Sequence, residues 1–375
     1  MLDSGGYGGS EVFLQSLSEE FRKRSVKTEF LAVNYIDTYG YLKKKNEKVS
    51  VFNFRMDLAG DIKGFLKSVF LLPYAIYKYN QTISSYPSGT VAMLTGTTDK
   101  IILTPLFYMH KHLVFWIEYA PILPILNRFF GIPKFFYRVS CRWVKRIFVP
   151  TLYAKKIWIE SGIFGEDILE VIPLGIKINH FDQNKKRLSR ERARKELDLG
   201  DSFVVGMISR LEKEKGQDTL IDIAKKTKHT NIKYLIAGVG GNYEFLKKAI
   251  STSDLGSNVK LLGFYPEDKK WDLYNAFDVF VFPTRWKYEG WGLVLQEAMM
   301  MGVPIISSDF GPVPEVVGSS VILIKDGIQD YIKAIVKLAE DKKMYERHVD
   351  LGLKRVNELS IQKTAKKYLS VMNFE

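Results

Sequence analysis

Residues 283–317 read PTRWKYEGWGLVLQEAMMMGVPIISSDFGPVPEVV, and the order of elements in and around this stretch decides the fold. The apolar run Phe277–Phe282 reads as a strand ending at Pro283. From Leu293 to Met301 the pattern is helical, and Gly302-Val303-Pro304 stops it. Val303–Ser307 reads as the next strand. Two carboxylates flank the helix start, Glu289 in the loop and Glu297 one turn inside. The N–H groups of Trp291, Gly292 and Leu293 are left free at that start, where the helix dipole favours an anion. Gly290 and Gly292 let a phosphate approach the backbone. Leu293 and Glu297 share a face, which places Glu297 to accept hydrogen bonds from a ribose while the N–H groups hold a diphosphate. Glu289 falls near the reacting end. A solvated glutamate beside an ordinary helix cap has the same spacing, so spacing leaves both readings open.

Working outward, the second half repeats this rhythm. Val204–Ser209, Lys233–Ala237, Val259–Leu262, Val279–Phe282, Val303–Ser307 and Val321–Ile324 are strand candidates at βα spacing. The first half offers Thr28–Asn34, Val49–Phe54, Val91–Thr95, Leu113–Ile117, Arg146–Pro150 and Leu169–Pro173. Strands alternating with helices predict parallel sheets covered on both faces. The fold class is therefore α/β, with two doubly wound, Rossmann-like domains. Residues 1–178 form the first, 179–358 the second, and 359–375 a terminal helix centred on Ile361–Phe374.

Size and composition agree. The chain has 375 residues, 46% of them hydrophobic, enough for about two domains. The single cysteine, Cys141, excludes a disulfide framework within the chain and suits a reducing compartment. His110 and His112 have no cysteine or carboxylate companion, so no metal site is expected. Val69–Tyr77 and Leu113–Asn127 are too short or too interrupted to span a bilayer.

The net charge of +13 is unevenly spread. Between Tyr119 and Ile159 there is no acidic residue, and Lys134, Arg138, Arg142 and Arg146 recur every four residues beside Phe135, Phe136, Trp143 and Val144. This predicts one basic amphipathic helix, either a contact with an anionic membrane surface or a solvated face packed on its domain. No nucleic-acid motif accompanies it, and no nucleic-acid partner is expected.

Two further clusters carry chemistry. Ser209-Arg210-Leu211-Glu212-Lys213-Glu214-Lys215-Gly216 follows a strand, at the carboxyl edge where open α/β sheets bind ligands. Arg210 offers a planar fork to phosphate and Lys215 a point charge. Either alone reads as a solvated loop charge; together they suit a diphosphate. Ala237-Gly238-Val239-Gly240-Gly241 follows the next strand, and Gly238 and Gly240 would let a nucleotide approach the backbone.

With Glu289 and Glu297 in E-x7-E spacing, followed by Ala298-Met299, Gly302-Val303-Pro304 and Glu315-Val316-Val317, the stretch resembles retaining glycosyltransferases of the GT-B fold, group 1 or family 4 type. The resemblance extends more thinly elsewhere. Ile172-Pro173-Leu174-Gly175-Ile176 with Phe181 is similar to the family's signature near the interdomain crossing. Gly8 and Gly9, before Ser10-Glu11, resemble its Gly-Gly-x-Glu loop, which helps position phosphates or the acceptor; a flexible tail is the other reading.

The resemblance implies two domains facing a cleft, acceptor on the first and nucleotide sugar on the second, with the terminal helix crossing back. It implies a metal-independent hexosyltransferase with no permanently bound cofactor. UDP-sugars come first by family frequency and GDP-sugars next. Glu297 would hold the ribose, Arg210, Lys215 and the 291–293 N–H groups the diphosphate, and Glu289 the sugar. The acceptor would be a glycan or a polyprenyl- or lipid-linked intermediate of cell-surface polysaccharide or glycolipid synthesis, in the cytoplasm at the inner face of the plasma membrane.

Several features depart from the pattern. The strand normally preceding the glycine loop has only Met1–Ser4 to occupy, so the first strand of the first domain is expected to be missing through truncation, a misassigned start, or a sheet that does without it. Glu118 stands where many relatives carry a histidine close to the sugar; it reads either as a contact to sugar hydroxyls or as a carboxylate paired with a nearby cation. Gly311-Pro312 replaces a Gly-Gly pair, and Arg285–Tyr288 lengthens the loop before Glu289. These departures keep a second function in view, a nucleotide-sugar-binding protein without transfer, either an inactive relative or a GT-B-type epimerase.

Overall fold

The computed structural model describes residues 9–33, 49–52, 62–127, 129–178, 183–266, 269–325 and 327–374. Gly8 and Phe181 lie outside them. The chain divides into two compact units, Met1–Leu174 with Thr364–Glu375, and Gly175–Lys363.

In the first unit, β1 (Phe30–Val33) pairs in parallel with β2 (Val49–Phe52). A four-stranded parallel sheet runs in the order β3 (Val91–Leu94), β4 (Leu113–Ile117), β5 (Arg146–Val149), β6 (Leu169–Val171). The longer helices are α1 (Gly9–Lys23), α2 (Ile62–Ile83), α3 (Thr97–Met109), α4 (Ile132–Ser140) and α5 (Leu152–Glu160). β4 is apolar throughout because helices cover both faces of such a sheet. Trp116 on β4 packs on Tyr137 with ring centroids 4.7 Å apart, and Trp158 packs on Phe164 at 4.8 Å. Thr151 caps α5, its Oγ1 accepting from the Ala154 N–H at 3.0 Å.

The predicted basic helix breaks into three. α4 ends at Ser140, a 3-10 turn covers Cys141–Trp143, and Arg146 opens β5. The run Ile147-Phe148-Val149 is fully buried between β4 and β6, and that burial overrides the four-residue periodicity of the charges. The four cations therefore do not line one helix face. Arg138, Arg142 and Arg146 are nonetheless exposed, as are Phe135 (64%) and Phe136 (49%).

In the second unit, β7 (Phe203–Ile208), β8 (Ile232–Ala237), β9 (Val259–Gly263), β10 (Val279–Phe282), β11 (Ile305–Ser308) and β12 (Ile322–Ile324) form one parallel sheet in the order β12-β11-β10-β7-β8-β9. This is the doubly wound order, and its direction reverses between β7 and β10. The helices are α6 (Gln183–Glu196), α7 (Gln217–Lys226), α8 (Tyr243–Thr252), α9 (Lys270–Ala276), α10 (Leu293–Met300), α11 (Val313–Val317), α12 (Ile328–Glu340), α13 (Lys342–Glu358) and α14 (Ile361–Val371). β11 starts two residues later than its sequence pattern suggests, because Val303 is still closing α10, its N–H donating to Ala298 O at 3.0 Å. Asp278, before β10, accepts from Arg190 Nη2 at 2.5 Å, Val204 N at 2.7 Å and Arg194 Nη1 at 3.2 Å, which ties α6 to the sheet.

From Thr364 onward α14 belongs to the first unit. Thr364 Oγ1 donates to Pro173 O at 2.9 Å, and Tyr368 packs on Phe148 at 4.6 Å. Among the described residues no helix is long and apolar enough to cross a membrane.

Candidate functional site

The strand order reverses between β7 and β10, the point at whose carboxyl edge open α/β sheets bind ligands, and the loops leaving these two strands carry the predicted charges. Arg210 follows β7 and is exposed. A 3-10 turn, Lys213–Lys215, then brings Lys215 back beneath the loop after β10. Gly216 ends that turn at φ 82°, and a Cβ there would stand 2.1 Å from Pro283 O, so the two loops touch only because this residue is glycine.

Across this contact Lys215 Nζ donates to Glu289 Oε2 at 2.5 Å. Both residues are nearly buried, at 7% and 6% exposure. The ammonium also lies 4.8 Å from the Trp286 ring centroid and 5.5 Å from that of Phe282. On the solvent side the Arg210 guanidinium carbon sits 5.6 Å from the same Trp286 centroid. Such a carboxylate-and-aromatic setting holds a cation in place while reducing its desolvation cost.

The loop 285–288 is anchored on both sides. The Arg285 N–H donates to Glu214 O at 2.7 Å. Its guanidinium meets both Asp218 carboxylate oxygens, at 2.7 and 2.8 Å, and Lys213 O at 3.0 Å. Gln217 fixes the base of the β7 loop, its Nε2 donating to Arg210 O at 2.8 Å and Ser209 Oγ at 2.9 Å.

The glycine turn after β8 presses on the same loop. The Leu211 N–H donates to Val239 O, and the Asn242 N–H to Leu211 O, both at 2.8 Å. A Cβ at Gly238 would fall 1.8 Å from Ser209 O, and one at Gly240 2.4 Å from Leu211 O. These glycines thus hold the Arg210 loop against the sheet, a packing duty beside the nucleotide approach expected of them.

α10 begins at Gly292, in the left-handed region at φ 80°, with no side chain capping it. Its first N–H groups are left for solvent or an anion. Trp291 is 3% exposed, and its indole Nε1 has no partner among the described residues. One turn in, Glu297 accepts from Lys270 Nζ at 2.7 Å through Oε1 and from Tyr274 Oη at 2.8 Å through Oε2. Each carboxylate oxygen keeps a second acceptor position, so a vicinal diol can still bind. Lys270 and Tyr274, Trp286 and Gln217 escaped the sequence reading. The four-residue spacing of Lys270 and Tyr274 on one helix was the only available signal.

The first-unit candidates are placed differently. Gly9 is the first residue of α1. Glu118 is 2% exposed, and one carboxylate oxygen accepts from Lys100 Nζ at 2.5 Å and from Tyr137 Oη. The contact to sugar hydroxyls gives way here to a buried ion pair. Burial pushes the Glu118 carboxyl up and the Lys100 ammonium down, each opposed by the other's charge. His110 and His112 stack at 6.3 Å, His110 Nε2 with Asn80 Oδ1 and His112 Nε2 with Ile83 O. Among the described residues no three of histidine, cysteine, aspartate and glutamate converge to hold a metal ion.

Residues 189–354 match the family described as Glycosyl transferases group 1. A GDP-mannose-dependent monoacylated alpha-(1-6)-phosphatidylinositol monomannoside mannosyltransferase of Corynebacterium glutamicum is 30% identical over 192 residues, 48% of this chain and 50% of that protein. The GPI3 subunit of a Saccharomyces cerevisiae phosphatidylinositol N-acetylglucosaminyltransferase is 26% identical over 204 residues, 52% of this chain and 42% of its own. The chain thus spans about half the length of the curated relatives it matches. Among solved structures, Anabaena HepE in complex with UDP superposes with a TM-score of 0.80 over 99% of this chain and 98% of that one, at 20% identity. The architecture is the GT-B fold.

Proposed function

Residues 189–354 being homologous to group 1 glycosyl transferases, we propose that this chain is a retaining glycosyltransferase that moves a sugar from a nucleoside-diphosphate donor to an acceptor hydroxyl. The observation that carries the reading is the meeting of Lys215, Glu289 and Arg210 around Trp286 at the reversal between β7 and β10, with the uncapped start of α10 following in the same loop. The second unit takes the donor. The α10 N–H groups, Arg210 and Lys215 hold its diphosphate, and Glu297 holds the ribose. Lys215 spends one of three N–H donors on Glu289 and keeps two for phosphate oxygens. Glu289 keeps Oε1 for a sugar hydroxyl.

In the reaction the bond from the anomeric carbon to the β-phosphate oxygen breaks, and a bond to the acceptor oxygen forms on the same face. The leaving phosphate takes the acceptor proton. Negative charge grows on that phosphate, and fixed cations stabilise it without moving; losing one should lower the rate roughly 10²- to 10³-fold.

UDP is the first candidate nucleotide, supported by UDP in the HepE structure; GDP is the second, supported by the GDP-mannose-dependent relative. The first unit, residues 1–178 with the terminal helix, takes the acceptor. A lipid-linked acceptor at the cytoplasmic face of a membrane is supported by lipid-modifying relatives and by exposed Arg138, Arg142 and Arg146 near exposed Phe135 and Phe136. Incubation with UDP- and GDP-sugars tests the reading. Release of nucleotide and transfer with retained anomeric configuration, read by NMR, support it. Tight donor binding with neither hydrolysis nor transfer would replace it with the binding-only alternative.

A further inference from the structure

Arg210 is an exposed arginine whose guanidinium meets no carboxylate among the described residues; its side-chain contact is the Trp286 ring. The backbone that carries that ring is well held. The Trp286 backbone N–H donates to Thr284 Oγ1 at 3.3 Å, and the Trp286 carbonyl accepts from the Glu289 N–H at 2.9 Å. Arg285 next to it is clamped on Asp218. The same ring takes the Lys215 ammonium at 4.8 Å. Both cations lie within 6 Å of one ring centroid, and Glu289 neutralises only Lys215. The negative face of the indole gives the Arg210 guanidinium a preferred orientation.

We propose that Trp286 is the positioning residue of the diphosphate site: its indole orients the exposed Arg210 beside Lys215, which Glu289 already holds, so that both cations present to one anion. The inference rests on reading these two cations as the diphosphate site. It gives the lengthened loop a purpose, because residues 285–288 carry the ring between the two strand edges. Trp286 itself touches neither the sugar nor the reacting atoms in this account; it acts through Arg210. Without the ring, Arg210 samples its rotamers in solvent and must be ordered by the ligand.

The test is calorimetric titration of UDP and of inorganic pyrophosphate into the full chain, with urea midpoints confirming the fold of each variant. Trp286→Leu should weaken both ligands roughly 3- to 30-fold, the range of a cation–π contact. Trp286→Phe, which keeps a π face, should stay within about 3-fold of the unaltered chain. In an Arg210→Met background, Trp286→Leu should change little, since its route is gone. Trp286→Met serves as a second aliphatic variant should Leu disturb the fold. Unchanged affinity in both aliphatic variants overturns the proposal, as does an equal loss with and without Arg210. If the unaltered chain binds neither UDP nor pyrophosphate, the diphosphate reading itself fails and takes this one with it, a result distinguishable before any variant is made.

Discussion

Lys215→Met removes a buried ammonium and strands the buried Glu289 carboxylate without its cation. The two side chains are 9% and 7% exposed and meet at 2.5 Å. At an effective dielectric of about 20, unit charges at that separation attract by roughly 7 kcal/mol, most of it offset by the cost of burying both ions. Removing one partner leaves the other's burial uncompensated, which costs about 3–5 kcal/mol. Glu289→Gln strands the ammonium and should cost a similar amount. Lys215→Met/Glu289→Gln buries no charge and should lose much less than the sum, giving a coupling of about 2 kcal/mol or more. The assay is urea unfolding of the full chain followed by tryptophan fluorescence, with Trp271, Trp286 and Trp291 reporting the second unit. The double variant should recover stability and still fail to bind UDP, which separates the fold contribution of the pair from its ligand contribution. Additive single effects, or a stable Lys215→Met chain, would refute the reasoning.

Other consequences can be checked in the same way. Gly238→Ala places a methyl 1.8 Å from Ser209 O at a φ of 140°, so it should destabilise by about 2 kcal/mol or more and weaken nucleotide binding by displacing the Arg210 loop, read by urea midpoint and calorimetry. Lys100→Met strands buried Glu118 and should cost about 3–5 kcal/mol, whereas Lys100→Met/Glu118→Leu should recover most of it in thermal unfolding. Burial pushes the Asp99 carboxyl up to about 6, with Lys100 pulling it down. The native state therefore binds this proton more tightly than the unfolded chain, and the associated stability is present below about pH 4 and lost as pH rises toward 6. Asp99→Asn should flatten that slope in urea midpoints measured across the window. Reversing Arg138, Arg142 and Arg146 to glutamate should release the chain from phosphatidylglycerol vesicles in flotation while leaving UDP affinity unchanged.

The strands were the most legible part of the chain. Leu113–Ile117 and Val279–Phe282 occupy the bounds their apolar runs suggest, because a parallel sheet buried on both faces demands continuous apolar residues. The basic helix misled because its periodicity ran on into a strand, and periodicity does not record that Ile147, Phe148 and Val149 are claimed by neighbouring strands. Arg210, Lys215, Glu289 and Glu297 could be picked out by charge at strand ends and helix starts. Their partners could not. Lys270 meets Glu297 from 27 residues away, and Lys215 meets Glu289 from 74, pairings that exist only once the strand order is known. Trp286 looked like added loop length because a ring's use as a cation platform depends on which cations the fold brings to it.

The central claim is that the second unit binds a nucleoside diphosphate through Arg210, Lys215, the start of α10 and Glu297. Calorimetric titration of UDP, GDP and ADP into the full chain, beside Glu297→Ala, tests it most directly. The account predicts selective binding of one nucleotide, with UDP first, weakened in the variant while the fold holds. A folded chain that binds none of the three, or binds them equally well without Glu297, would contradict it.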